Sequence, residues 1–194
     1  MLSRRHLIGA VSALAAATAF PVLAGEPAPA GLIAQARQAL SKHKDRIRNL
    51  DRMAIADFSV HSSKPRFYVV DLKSGATQSF LVAHGRGSDP AHTGWLKSFS
   101  NAPGSDATSE GAYVTGDTYI GKHGLSRRLI GLDDGNSNAL SRGIVIHSAW
   151  YVSDDMARGA GIGRSEGCFA LSDKDHATVM DLLGPDCLLV AVKA

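Results

Sequence analysis

Two stretches decide how this chain is interpreted: GIVIH at residues 143–147 and GRSEGC at residues 163–168. The first is an apolar, β-branched run, which predicts a buried strand that ends in His147. The second predicts a tight turn, because glycines flank the segment that ends in Cys168. His147 and Cys168 lie 21 positions apart, so a single loop can join them and bring the two side chains together.

Such a pair indicates nucleophilic thiol chemistry. A free thiol has a pKa of about 8.5 and needs a base to become a thiolate. His147 would take the proton from Cys168 and return it to a leaving group. Ser148 is the first candidate for the group that fixes the imidazole tautomer, and Ser165 is the second. Gly167 permits a sharp turn, so we expect the amides of Gly167 and Cys168 to form an oxyanion hole.

The alternatives are a structural histidine, a disulfide and a metal site. A disulfide would join Cys168 to Cys187, but Cys187 opens an apolar run typical of a buried strand, where a cysteine serves as a small hydrophobe. His84, His92 and His123 lack the short paired spacing of a structural zinc site. We therefore expect two free thiols, no metal and no cofactor.

Residues 1–24 are typical of an export signal. They begin with Arg4 and Arg5, continue through an apolar run at residues 8–20 and end at Ala24. The paired arginines resemble a twin-arginine signal. The alternative is an uncut membrane anchor, but the run is shorter than the ~20 residues that a spanning helix needs. We expect export to the periplasm and no stable membrane span after signal removal.

The remaining 170 residues suit one domain with a core of its own. Without the signal, basic and acidic residues number 19 and 18, so no footprint for nucleic acid remains. Residues 25–30 form a Pro/Ala linker, residues 31–52 have helical periodicity, and residues 53–194 form the main domain. The basic residues of the helix could contact an anionic wall, although such runs are more often a solvated face.

The main domain is predicted to be mainly β. A long polar loop is predicted at residues 85–110 and a helix at residues 173–183, with Ser172 as its N-cap. Short runs of strand-forming residues occur at residues 53–60, 66–72, 77–84, 111–115, 126–132, 143–147, 169–171 and 187–192.

At this level of detail the sequence resembles the L,D-transpeptidase catalytic (YkuD-like) family, in particular its murein transpeptidase-like subgroup. The resemblance spans about residues 55–192. It rests on VAHG at 82–85, FSNAPGS at 99–105, TYIGKHGLS at 118–126, RGIVIH at 142–147 and GRSEGC at 163–168. It implies a YkuD-like β-sandwich domain, with a helix at the N-terminus and a short helix after the catalytic cysteine.

The resemblance also implies an activity on peptidoglycan stem peptides. Cys168 would displace D-alanine from diaminopimelate, form a thioester and pass the acyl group to an acceptor amine. Water as the acceptor would make the protein an L,D-carboxypeptidase, and a wall-binding domain without turnover is the third alternative. Under any of these three alternatives the substrate cleft could be lined by Tyr119, His123, Ser126 and Arg164. The protein is expected to be a monomer.

Two positions depart from the family pattern. Glu166 stands where relatives often carry a histidine or an aromatic residue, and its carboxylate would oppose thiolate formation if it pointed inward. Phe169 and Ala170 stand where many transpeptidases have an apolar residue followed by arginine. Arg164 is the candidate to hold the substrate carboxylate instead.

Overall fold

A computed structural model describes residues 26–194 of the chain. The predicted export signal at residues 1–24 lies outside the described residues, as does the first residue of the predicted linker. Within the described part, no helix is long and apolar enough to cross a membrane.

Eight strands form one mixed sheet in the order β3-β2-β1-β8-β4-β5-β6-β7. β1 pairs in parallel with β8, and β6 with β7, whereas the other neighbours are antiparallel. The strands are β1 (Arg52–Asp57), β2 (Phe67–Asp71), β3 (Thr77–Phe80), β4 (Gly111–Gly121), β5 (Gly124–Gly131), β6 (Val145–Ser148), β7 (Phe169–Leu171) and β8 (Leu188–Val192). The helices are α1 (Ala30–Lys42), α2 (Asp154–Arg158) and α3 (Asp173–Leu182), with 3₁₀ turns at Arg86–Ser88 and Asp134–Asn136.

The sheet closes on itself where its two edge strands meet. Just beyond β3, the amide of Ala83 donates to the carbonyl of Ala170 in β7 at 2.9 Å. We call the contact between residues 83–86 and residues 165–170 the seam. All eight strands contribute to the core cluster that this closure encloses. The predicted mainly β fold, with its N-terminal helix and a short helix after Cys168, is confirmed.

Helix α1 covers the outer face of the central strands. Leu32 and Ala36 are its buried residues, and they join a second apolar cluster with alternate residues of β1, β2, β4 and β8. These strands are therefore buried on both faces, which explains their nearly continuous apolar sequences. The helix anchors the sheet on the side away from the first cluster.

The predicted helix at residues 31–52 is too long, because α1 ends at Lys42. At this point the chain is held by tertiary contacts, because Lys42 and His43 both bind Asp133, at 2.6 and 3.0 Å. The two apolar residues that continued the helical pattern differ in burial: Ile47 is buried in the second cluster, whereas Leu50 is 59% exposed.

The predicted strands are found with shifted ends, and β4 extends six residues beyond its predicted end at residue 115. Its outer half contains Gly116 and Asp117, which are poor strand formers. Pairing with β5, resumed after a bulge, holds it as a hairpin. Helix α2 was not predicted; it has no buried residue and is capped by Ser153. Helix α3 begins after Ser172, as predicted.

Cys168 and Cys187 are both free thiols in this structure. Cys187 is fully buried just before β8, whereas Cys168 is partly accessible at the start of β7.

Phe169 tests the closure of the core. Its ring is fully buried and packs edge-on against Tyr113, with centroids 5.6 Å apart. We expect Phe169→Ala to lower the free energy of unfolding by about 3–5 kcal/mol, because it removes buried surface and leaves a cavity. Urea unfolding at equilibrium measures the change. Trp150→Ala is the control, because Trp150 is 77% exposed and its loss should cost at most about 0.5 kcal/mol. Equal costs for the two variants would contradict this account of the core.

Candidate functional site

The imidazole of His147 is held by its strand and by the next residue. β6 places Ile146 in the enclosed core and His147, its neighbour, on the opposite face. The ring is buried, and its Nδ1 lies 2.7 Å from the backbone oxygen of Ser148. Because a carbonyl oxygen can only accept, Nδ1 carries the proton and Nε2 keeps the lone pair that a base needs. Ser148 thus lies where the orienting group was predicted.

Cys168 follows a turn that Ser165 closes. The Ser165 hydroxyl donates to the carbonyl of Cys168 at 2.7 Å and accepts from the amide of Gly167 at 3.1 Å. Gly167 has a φ of 113°, which a residue with a side chain rarely adopts. The amide of Gly167 is therefore already engaged, which corrects its predicted role as an oxyanion donor. Ser165 shapes the turn, and Ser148 rather than Ser165 orients the histidine.

The seam holds this turn from the other side. The amide of Ser165 donates to the carbonyl of His84 at 2.9 Å, and the amide of Arg86 donates to the carbonyl of Ser165 at 2.8 Å. Between these two bonds the backbones of Gly85 and Gly167 approach so closely that a methyl group at Gly85 would lie 2.8 Å from the Gly167 nitrogen. The position of Cys168 thus depends on a residue more than 80 positions earlier in the chain.

An open cavity of about 420 Å³ lies above the turn. It brings together six of the predicted site residues: Tyr119, His123, His147, Arg164, Ser165 and Cys168. Ser126, Ser148 and Gly167 are not among its lining residues; Ser126 is buried and donates to the carbonyl of Gly124. The cavity is also lined by Arg86, Lys122, Arg142, Gly143, Val145, Tyr151 and Glu166.

Sequence reasoning assigned no role to the basic residues Arg86, Lys122 and Arg142 or to Tyr151. A signal existed for two of them, because Lys122 and Arg142 stand inside the motifs that carry the family resemblance. Arg86 lies in a loop just after the motif at residues 82–85, and Tyr151 lies in a loop after β6. Only the folded chain brings these two residues to the cavity.

The β4–β5 hairpin reaches over the histidine. The ring of His123, at the hairpin tip, stacks on the ring of His147 with centroids 4.2 Å apart and an angle of 21°. Tyr119 lines the cavity from the same hairpin and is itself covered by the guanidinium of Arg128 at 4.2 Å. The hairpin therefore shields one face of the candidate base from water.

Burial keeps both candidate reacting groups neutral at pH 7. It raises the pKa of Cys168, against the lowering effects of the Val145 amide and of Lys122. Burial also lowers the pKa of His147 to about 4, although the hydrogen bond to Ser148 works in the opposite direction. The Cys168 Sγ lies 3.6 Å from the carbonyl oxygen of Gly143, to which its S–H can donate. Within the described chain no hydrogen bond joins Cys168 to His147.

Glu166 lies at the mouth of the cavity, 59% exposed in its side chain. Its carboxylate is 3.4 Å from Arg86 and 4.0 Å from Lys122. The cations partly balance its charge, although its presence still raises the pKa of Cys168. The carboxylate of Glu166 therefore does not point into the protein but lies between two cations at the solvent-exposed mouth.

Arg164 lines the cavity but is partly committed to a loop. Its Nη1 donates to the backbone oxygens of Asp89 and, at 3.1 Å, of Pro90. No three His, Cys, Asp or Glu side chains in residues 26–194 are grouped so as to hold a metal ion. Of the histidines weighed as ligands, His84 is buried beside Arg66, at 2.8 Å, and His92 binds the carbonyl of Ile162, at 2.9 Å.

The low pKa of His147 makes stability depend on pH. In the unfolded chain a histidine binds a proton below about pH 6.5, whereas folded His147 does so only below about pH 4. The free energy of unfolding should therefore fall between these values, by about 3 kcal/mol for this residue. Between pH 6.5 and 4 we expect the free energy of unfolding of His147→Gln to fall by about 3 kcal/mol less than that of the parent, as measured by urea unfolding. Identical losses would show that His147 titrates normally.

Gly85→Ala tests the seam. The new methyl group would lie 2.2 Å from the backbone oxygen of Asp106, so the two segments must separate. We expect a loss of about 1–3 kcal/mol in stability and faster labelling of Cys168 by an aromatic disulfide reagent. Gly116→Ala is the control, because its methyl group would meet no atom closer than 3.4 Å. Unchanged labelling in a destabilised Gly85→Ala variant would separate the seam from the placement of the thiol.

The sequence model described as L,D-transpeptidase catalytic domain matches residues 28–191. No curated protein matches the chain. Among solved structures, L,D-transpeptidase 3 from Mycobacterium tuberculosis, in complex with a faropenem-derived adduct, is 14% identical, with a TM-score of 0.49, over 74% of this chain and 60% of that one.

Two further solved structures are similar at the same level. An L,D-transpeptidase from Mycobacterium tuberculosis H37Rv is 15% identical, with a TM-score of 0.48, over 74% of this chain and 58% of that one. Bd1075 from Bdellovibrio bacteriovorus is 12% identical, with a TM-score of 0.46, over 72% of this chain and 47% of that one. This chain spans less than two thirds of the length of each of these three proteins.

Proposed function

This chain belongs to the family of L,D-transpeptidase catalytic domains, and on that premise we propose that it is an exported cysteine acyltransferase of peptidoglycan stem peptides. Cys168 is the proposed nucleophile and His147 the proposed base. The observation that carries the proposal is the fixed tautomer of His147, whose Nδ1 is bound to Ser148 at 2.7 Å in the cavity that Cys168 also lines.

In the first step the Cys168 sulfur attacks the carbonyl carbon between the L-centre of diaminopimelate and a terminal D-alanine. The thiol proton passes to Nε2 of His147, which then donates it to the departing amine of D-alanine. A C–S bond forms and the C–N bond breaks, leaving a thioester. The base starts neutral because burial lowers the pKa of His147 to about 4, so it can accept this proton at neutral pH.

In the second step an amine from a neighbouring stem attacks the thioester carbonyl. His147 takes a proton from that amine and returns it to the sulfur, so the enzyme is regenerated and a 3–3 cross-link forms. Water in place of the amine would give an L,D-carboxypeptidase. Both reactions use the same two residues, and they differ in what reaches the thioester.

The charge of the cavity supports an anionic peptide as substrate. Four basic side chains line it and only one acidic side chain, that of Glu166, does so. A stem-peptide donor carries free carboxylates at its terminal D-alanine and on diaminopimelate. Arg164 has a planar fork suited to a carboxylate, with Nη1 already bound to backbone oxygens. Tyr119 and His123 would cover the peptide from the hairpin side.

Location follows from the sequence alone. The segment at residues 1–24 has the composition of a twin-arginine-like export signal, and peptidoglycan lies outside the cytoplasmic membrane. We propose that the protein works in the periplasm, as a monomer.

Intact-protein mass spectrometry after incubation with a carbapenem tests the nucleophile. We expect one adduct with the mass of the intact drug, because a β-lactam carbonyl is opened by an activated thiolate. Cys168→Ala should take up none. Cys187→Ala is the matched control and should take up one, because Cys187 is fully buried. No adduct on the folded, reduced parent would contradict the proposed acylation.

Purified muropeptides then separate transfer from hydrolysis. Release of D-alanine together with cross-linked dimers would support transfer, and release with tripeptide monomers alone would make the protein a carboxypeptidase. Binding to sacculi without release of D-alanine would point to the wall-binding alternative.

A further inference from the structure

Arg142 is a half-buried cation with only neutral hydrogen-bond partners. Its Nη1 donates to the backbone oxygen of Ser100 at 2.8 Å and to the hydroxyl of Ser109 at 2.7 Å. Its Nη2 donates to the hydroxyl of Ser105 at 3.2 Å and to the backbone oxygen of Ala107 at 2.6 Å. No carboxylate in residues 26–194 forms an ion pair with it.

Two other cations of the cavity are balanced by acids. Arg86 binds the carboxylate of Asp106 at 2.7 Å, and Lys122 lies 4.0 Å from Glu166. Carbonyl and hydroxyl oxygens can satisfy the N–H groups of Arg142 but cannot cancel its charge. The charge of Arg142 is therefore left to act on the groups beside it.

The guanidinium lies directly behind the turn that ends in Cys168. A methyl group at Gly167 would come within 3.2 Å of Nη2 of Arg142. The residue after Arg142 is Gly143, whose carbonyl oxygen lies 3.6 Å from the Cys168 sulfur. Arg142 and its neighbour therefore contact both the residue before the nucleophile and the nucleophile itself.

The four bonds also fix the loop on which the turn rests. Arg142 binds residues at both ends of the segment 100–109, which lies against the two glycines of the site. The backbone oxygen of Ala107 would lie 2.7 Å from a methyl group at Gly167, and that of Asp106 would lie 2.2 Å from one at Gly85. A shift of this segment would therefore move the turn.

We propose that Arg142 is a positioning residue for Cys168: it clamps the segment 100–109 behind the Gly167–Cys168 turn and supplies an unbalanced positive charge that favours the thiolate. The inference rests on the proposed function only in taking Cys168 as the nucleophile. During acyl transfer the same positive charge stabilises negative charge near it. That negative charge lies first on the thiolate sulfur and then on the oxygen of the attacked carbonyl.

The pH dependence of Cys168 alkylation by iodoacetamide tests this role, because only the thiolate reacts. The measurement uses full-length protein carrying Cys187→Ala, so that one cysteine remains. We expect Arg142→Met to move the midpoint of the rate profile upward by about one pH unit, and to lower the rate below that midpoint about tenfold. Arg142→Lys keeps the charge but loses the fork, so its midpoint should stay within a few tenths of the parent value.

Arg127→Met is the matched control. Arg127 also donates to neutral backbone oxygens, those of Gly116 and Met180, but it does not line the cavity. Its removal should leave the alkylation midpoint unchanged. A folded Arg142→Met variant with the parent midpoint would overturn the electrostatic part of the proposal.

The clamp is tested separately by the rate of carbapenem acylation in Arg142→Lys. We expect it to fall at least about tenfold, because a lysine cannot bind four acceptors in the geometry of the planar fork. A parent-like rate would refute the clamp, and this variant also serves if Arg142→Met does not fold. Alkylation needs no peptidoglycan chemistry, so a parent protein that alkylates but takes up no carbapenem would contradict the proposed function and leave the alkylation test of Arg142 intact.

Discussion

The closure of the sheet at the seam is the constraint on which the site depends. β3 and β7 are the two edges of an eight-stranded sheet, and the bond from Ala83 to Ala170 joins the segment just after β3 to β7 itself. Edge strands otherwise expose unpaired backbone groups. Here their pairing places the carbonyl of His84 and the amide of Arg86 on either side of Ser165, and so fixes the turn that carries Cys168. A short contact between distant segments thus determines where Cys168 lies.

The basic side chains of the cavity lower the free energy needed to form a thiolate at Cys168. Burial raises the pKa of Cys168 above its ordinary value and lowers that of His147 to about 4. Moving the proton from the thiol to the imidazole therefore costs free energy before substrate binds. Positive groups near the sulfur reduce that cost, and Lys122 and Arg142 both act in this direction. A neutral resting pair also protects Cys168, because a thiol resists oxidation better than a thiolate does.

Much of the fold could be predicted because its strands are marked by local sequence. Apolar, β-branched runs located the strands, and Ser172 marked the start of α3. The end of α1 could not be predicted, because contacts of His43 with Asp133, 90 positions away, override the local periodicity. The outer half of β4 was missed for a similar reason, since pairing with β5 stabilises residues that favour turns.

The site shows the same division between local and distant causes. His147 and Cys168 could be paired because one loop joins them, and Ser148 is adjacent in sequence to the histidine that it holds. The hydrogen bond from the Gly167 amide to the Ser165 hydroxyl was not predictable, because the same motif also allows that amide to donate to a substrate oxygen. Arg142 stands in the motif at residues 142–147, but its role could not be predicted from neighbouring residues. All four of its hydrogen-bond acceptors lie more than 30 positions earlier in the chain.

The missing arginine after the cysteine has a structural cause in this chain. Phe169 and Ala170 are both fully buried, Phe169 in the enclosed core and Ala170 in the seam beside Ala83. An arginine at either position would place a charge among apolar side chains and force the two edge strands apart. The burial of these two positions in the closed sheet therefore excludes a charge there in this chain. A cation that serves the site must come from another segment, and Arg142 reaches the back of the same turn from the residues that precede β6.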